Sequence, residues 1–207
     1  MDKILNRCAV PLAGGRKSGK TLALTLALLC LSPLSHAADP GSYTYTPEGC
    51  GFTASFPSEP HFTRRCPSDP TLPCLEVARF TSRGEEAHQT FEVEMSCQGI
   101  SEEVYQSYTK DNLESLVVKM TEKHHLGEVP PVDFDAQEDG LKIASSSGLK
   151  RAGFSDKIFL SQIWVNPHSV MTIEGEMDLE TDEKTEEQFI TIMRSVAQTT
   201  TSQSVER

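Results

Sequence analysis

The sequence predicts an α+β fold, an antiparallel sheet flanked by a long central helix and a C-terminal helix. Three observations predict it. Apolar and polar residues alternate at 52–56 and 91–95, and apolar residues gather at 158–165, as in half-buried and buried strands. The period lengthens to that of a helix at 113–120 and again at 189–196. The order is thus strands, helix, strands, helix, which suits helices packed on an antiparallel sheet better than alternating βα units. No linker composition or internal repeat interrupts it, so residues 38–198 read as a single domain.

The first 37 residues read differently. Lys3, Arg7, Arg16, Lys17 and Lys20 are opposed only by Asp2, and Thr21–Leu34 carries no charge. Ser35-His36-Ala37 follows. A basic start, a short apolar stretch and a small-x-small site make a secretory signal peptide, cleaved after Ala37. The 14-residue apolar run is shorter than the roughly 20 residues a membrane span needs, so the mature form is expected to have no membrane span. Gly14 to Thr21 matches the phosphate-loop pattern G-x-x-x-x-G-K-[ST]. That pattern works only between a buried strand and a helix. Here Arg7 and Pro11 spoil the strand, and Pro33 stops the helix.

Five basic residues and one acidic residue leave with this segment, so the exported chain carries −15 rather than −11. Such a charge favours solubility and argues against nucleic acid, whose phosphates need a basic face. Four cysteines remain: Cys50, Cys66, Cys74 and Cys97. An even number in an exported chain reads as two disulfides. Pairing Cys66 with Cys74 closes a short proline-stiffened loop and leaves Cys50 for Cys97, the preferred arrangement. The rival joins Cys74 to Cys97 across two strands and leaves Cys50 with Cys66. A zinc site would need closer ligand spacing than this sequence offers.

The elements follow in order. Tyr43-Thr44-Tyr45 suits a short strand after a polar lead-in. Phe52, Ala54 and Phe56 share one face of a strand ended by Pro57. Leu75, Val77 and either Ala78 or Phe80 suggest the next strand, and Phe91, Val93 and Met95 another, with Arg83-Gly84-Glu85-Glu86 turning between them. Ser101 is a good N-cap, backed by Glu102 and Glu103. Leu113, Leu116, Val117 and Met120 then mark the buried face of a helix running to Lys123 or His124. Val132 and Phe134 begin a strand with Asp133 and Asp135 outward. Leu141 and Ile143 start another after Asp139-Gly140, while Ser145 to Ala152 suits an exposed strand or a turn. Ile158 to Val165 is the strongest strand signal, returning through Asn166-Pro167-His168-Ser169 to Val170, Met171 and Ile173. Thr181 or Asp182 caps the last helix, whose face is Phe189, Ile192, Met193 and Val196. Residues 199–207 read as a disordered tail.

The strand bearing Phe52, Phe56 and Pro57, the helix from Ser101, the strand pair across Asn166–Ser169 and the closing helix with Phe189 and Ile192 together resemble the PsbP/Mog1-like fold, from Tyr43 to Val196. The resemblance implies a small exported bacterial accessory or binding domain. It transfers no catalytic set, cofactor or ligand residue, and a shared fold does not establish function.

Candidate chemistry is sparse. The acidic loop Asp133–Gly140 could offer oxygen ligands to calcium, but Glu138 stands where an EF-hand needs glycine and Ala144 where it needs glutamate. His124 and His125 are adjacent on a helix and point about 100° apart, which disfavours shared ligation. Trp164 suits a core position. Arg64-Arg65 and Lys150-Arg151 are basic pairs in an acidic chain, suited to an anionic partner or to ordinary surface. The expectation is a soluble periplasmic or secreted accessory or binding protein, non-enzymatic, without cofactor or metal, acting through a protein or envelope partner. The alternative is a hydrolytic or metal-dependent enzyme joining His124 or His125 to Asp133 or Asp135.

Overall fold

The computed structural model describes residues 42–69, 74–83, 90–122, 130–152 and 155–199. All lie in the unit Ala38–Arg207. The expected signal peptide, the turn at 84–86, His124, His125 and residues 200–207 of the expected tail lie outside them; Thr199, the first residue of that tail, is instead held by its N–H donating to the Gly51 carbonyl at 3.0 Å.

Ten strands and three helices occur among these residues. β1 (Tyr43–Tyr45), β2 (Phe52–Phe56), β3 (His61–Arg65), β4 (Leu75–Arg83) and β5 (Thr90–Gly99) come first. Helices α1 (Glu102–Ser107) and α2 (Lys110–Glu122) follow, then β6 (Val132–Ala136), β7 (Lys142–Ala152), β8 (Ser155–Asn166) and β9 (Ser169–Asp178). α3 (Glu183–Arg194) and β10 (Ala197–Gln198) close the fold. The large sheet has the order β3-β4-β5-β9-β8-β7-β6, and the small sheet β1-β2-β10. Every neighbouring pair is antiparallel. This is the predicted α+β class.

One face of the large sheet carries the main core. Phe91, Val93 and Met95 of β5, Ile173 and Met177 of β9, and Ala78 and Phe80 of β4 meet Phe52, Ala54 and Phe56 of β2 and Phe189, Ile192 and Met193 of α3. Each fully buried phenylalanine stabilises by about 1.5–3 kcal/mol. Phe91 packs edge-on against Phe189, centroids 5.6 Å apart. Gly175 makes this approach possible, since a Cβ there would lie 2.7 Å from the Phe189 ring. The Asp182 carboxylate caps α3 by accepting from the Thr185 N–H at 2.8 Å, and Glu183, Glu186 and Arg194 complement its dipole.

α2 covers part of the opposite face. Leu113 and Val117 pack on Ala144, Ile163, Val165 and Val170. The predicted long helix is broken at Tyr108–Thr109. Ser101 caps α1 as expected, its Oγ accepting from the Val104 N–H at 3.3 Å. Tyr108 then leaves helical geometry at ψ 68°. The Tyr105 carbonyl accepts from the Tyr108 N–H at 3.1 Å, Lys142 Nζ donates to the carbonyls of Tyr105 and Tyr108 at 3.4 and 3.0 Å, and it lies over the Tyr105 ring. The buried line of α2 is Leu113, Val117 and Thr121, with Met120 half-buried against the same cluster and Leu116 exposed.

Other differences are local. β3 had no apolar alternation to announce it, because only Phe62 is even half-buried. Ser145 to Ala152 is fully strand, paired with β8. Gly140 takes a φ of +88° in the turn before β7, where glycine is suited. Cys50 is bonded to Cys97 and Cys66 to Cys74. Disulfides of this kind point to an oxidising compartment. No helix among the described residues is long and apolar enough to cross a membrane.

Candidate functional site

The face shared with α2 changes character across the sheet. Alternation fixes which side chains share it. One cross-strand row reads His61, Arg79, Glu94, Glu174, Ser161, Ser146 and Val132. The next reads Thr81, Glu92, Glu176, Phe159 and Gly148. The rows therefore run from charge on β3, β4, β5 and β9 to hydroxyls and apolar groups near α2. Glu94 stands opposite Glu174, and Glu92 opposite Glu176. Like charges directly opposite are destabilising, so this face keeps two unfavourable pairs side by side.

Cations answer part of that cost. Arg65 Nη2 donates to both carboxylate oxygens of Glu94 at 2.9 Å. Arg79 Nε donates to Glu94 Oε1 at 2.7 Å, and its Nη2 donates to the same oxygen. Burial pushes the Glu94 carboxyl up, but the bonds from Arg79 and Arg65 outweigh burial and hold it below the usual carboxylate range. The Arg79 guanidinium is held above its ordinary value chiefly by the same bond. Arg79 also lies 3.7 Å from Glu92. Lys150 pairs with Glu176 at 2.7 Å and Lys157 with Asp178 at 3.4 Å. Thr172 and Ser96 share a hydrogen bond of 2.7 Å in the neighbouring row.

An open depression of 170 Å³ lies among Arg65, Arg79, Glu92, Glu94, Glu174 and Glu176. A second, of 380 Å³, is lined by Glu59, His61, Arg79 and Thr81 among others. Arg79 belongs to both. Together they form a mosaic of donors and acceptors on an open surface, chemistry suited to another charged surface.

The sequence-derived candidates fall elsewhere. Asp133 and Asp135 are exposed on β6. Asp139 Oδ1 accepts from the Leu141 N–H at 3.1 Å and its Oδ2 accepts from Gln198 at 3.4 Å, so this carboxylate shapes a turn. Among the described residues no group of three His, Cys, Asp or Glu is placed to hold a metal ion. Trp164 is half-buried, edge-on to Phe52 at 6.3 Å, with Nε1 donating to Gln162 at 3.1 Å. Arg65 and Lys150, read from sequence only as members of basic pairs, both belong to the charged face. Glu92, Glu94, Glu174, Glu176 and Arg79 were missed. Their signal is the repeated Glu-x-Glu of two strands, which places both carboxylates of each pair on one face.

No protein-family model matches this chain, and no curated protein matches it. Among solved structures it is similar to the solution structure of cyanobacterial PsbP (CyanoP) from Synechocystis sp. PCC 6803, with 13% identity over 82% of this chain and 99% of that one, at a TM-score of 0.47. A likeness of that depth carries no argument about activity or partner. The α+β assignment rests on the strands and helices described above.

Proposed function

We propose that this chain is an exported, non-enzymatic accessory protein that docks a protein partner on the charged face of β3, β4, β5 and β9. The single observation carrying the reading is the double opposition of Glu92 to Glu176 and of Glu94 to Glu174. Opposed carboxylates weaken a sheet, and such costs are retained where a surface serves a purpose other than stability. Arg65 and Arg79 cover Glu94 yet stay open to a partner themselves, with side chains 55% and 43% exposed, and Glu92 beside them is 46% exposed. Export to a periplasmic or extracellular space is supported by the signal-like residues 1–37 and by the two disulfides.

Charge reversal tests the reading. Wild-type mature chain and an Arg79→Glu, Glu92→Lys variant are compared for capture of proteins from the exported fraction of the native host. The reading expects a partner held at low salt by the wild type, lost from the variant and weakened by added salt. A partner held equally by both chains at every salt concentration overturns it.

A further inference from the structure

The two disulfides occupy opposite environments. Cys97 is buried at 8% exposure and its partner Cys50 is half-buried against the main core. Cys66 and Cys74 are both exposed, directly after β3 and directly before β4. β3 is an edge strand whose only large-sheet neighbour is β4. Four of its five residues are exposed. Phe62 is its one half-buried side chain, facing Tyr43 and Tyr45 at centroid distances of 6.1 and 5.8 Å. The bridge therefore staples the least anchored strand of the sheet at its solvent end.

We propose that Cys66–Cys74 is a thiol–disulfide exchange site for a dithiol protein, and that its reduction releases β3 from the sheet edge. Exchange requires a thiolate to reach a bridge sulfur, and exposure permits that at Cys66–Cys74 while the core shields Cys97. The donor thiolate attacks one bridge sulfur, the Cys66–Cys74 bond breaks, a mixed disulfide forms, and the displaced cysteine takes up a proton. The donor's second thiol gives up its proton and its sulfur attacks the donor's own sulfur in the mixed disulfide; the mixed bond breaks, and the second bridge cysteine leaves and takes up that proton. The donor ends as its own disulfide, and the chain gains two electrons and two thiols. Among the described contacts β3 then keeps its ladder to β4, the Phe62 contacts and the exposed Arg65–Glu94 bond, and edge segments with few buried contacts open at low free energy. Release of β3 withdraws Arg65 from Glu94 and opens the outer edge of β4. The inference stands apart from the docking reading, since its readouts need no partner.

The experiment treats folded mature protein with graded dithiothreitol and, separately, with reduced thioredoxin. Newly formed thiols are alkylated and located by mass spectrometry, and amide exchange is followed on the same samples. Cys66 and Cys74 are expected to label at least tenfold faster than Cys50 and Cys97. The amides of 61–65 are expected to lose protection while those of β5 and β9 keep theirs. A Cys66→Ser, Cys74→Ser variant is expected to show the same exchange pattern without reductant. Equal labelling of both bridges, earlier labelling of Cys50 and Cys97, or undiminished protection of 61–65 after the exposed bridge is cut would each overturn the proposal.

Discussion

The two faces of the large sheet solve the same geometric problem in opposite ways. On one, β4, β5 and β9 present Ala78, Phe80, Phe91, Val93, Met95, Ile173 and Met177 to a buried core. On the other, the same strands present Arg79, Glu92, Glu94, Glu174 and Glu176 to an open depression. Backbone pairing is common to both, so the difference lies wholly in the side chains of alternate positions. The covered face holds the fold together. The charged face adds little stability, and through its opposed glutamates subtracts some, so its composition answers to another requirement.

Breaking the covered face has the largest expected effect. Phe91→Ala empties space against Phe80 and Phe189 and should cost about 3–5 kcal/mol, measured by denaturant unfolding under oxidising conditions. The disulfides come next and sharpen the contrast between core and edge. In the loop-entropy model, Cys50–Cys97, with a sequence separation of 47, contributes about 4 kcal/mol. Cys66–Cys74, with a separation of 8, contributes about 2.5 kcal/mol. Paired Cys→Ser variants should lose stability in that order.

Tyr45 belongs to the core of the covered face. It is 2% exposed, and no described group hydrogen-bonds its Oη. Burial, with help from Glu76 and Tyr43, pushes its phenol up to about 12. A raised folded value means that the contribution is complete below the unfolded value of about 10 and is lost as pH rises through about 12. The loss, on the order of 2–3 kcal/mol, should appear in an alkaline titration of stability and vanish in Tyr45→Phe. The substitution itself should be neutral or stabilising near pH 7, since it removes a buried hydroxyl without a partner.

The charged face should give the smallest effect on stability. Arg79→Ala should cost about 1 kcal/mol or less. Glu94 has a depressed folded value, so its contribution is present above the unfolded value of about 4.3 and is lost as pH falls through the lower folded value. Glu94→Gln should flatten that acid limb of the stability profile by lowering the neutral plateau towards the acid value, since the variant lacks the contribution at every pH.

The sequence spoke most clearly where one physical requirement acted alone. Period two along 52–56 and 91–95, and the i, i+3, i+4 face of Phe189, Ile192 and Met193, each report burial on one side, and the structure places strands and a helix there; Val196, expected on the same face, is buried but lies past the helix end at Arg194. The helix break at Tyr108 was illegible because no Gly or Pro marks it in sequence, and the Lys142 ammonium that donates to the Tyr105 and Tyr108 carbonyls comes from a distant strand. β3 was illegible because an edge strand with one half-buried side chain shows no alternation. The charged face was half legible. Glu-x-Glu at 92–94 and 174–176 told which carboxylates share a side, but only pairing of β5 with β9 sets them opposite one another. The acidic loop 133–140 is dense in charge along the sequence, whereas the charged face becomes dense only across strands.

Site-directed photo-crosslinking tests the central claim most directly. A photoreactive residue replaces Thr81, on the charged face, or Thr44, exposed on the small sheet, in chain exported by the native host. The account predicts one discrete adduct from position 81, absent from position 44 and abolished by Arg79→Glu, Glu92→Lys. An adduct from position 44 alone, or one from position 81 that survives charge reversal, would contradict it.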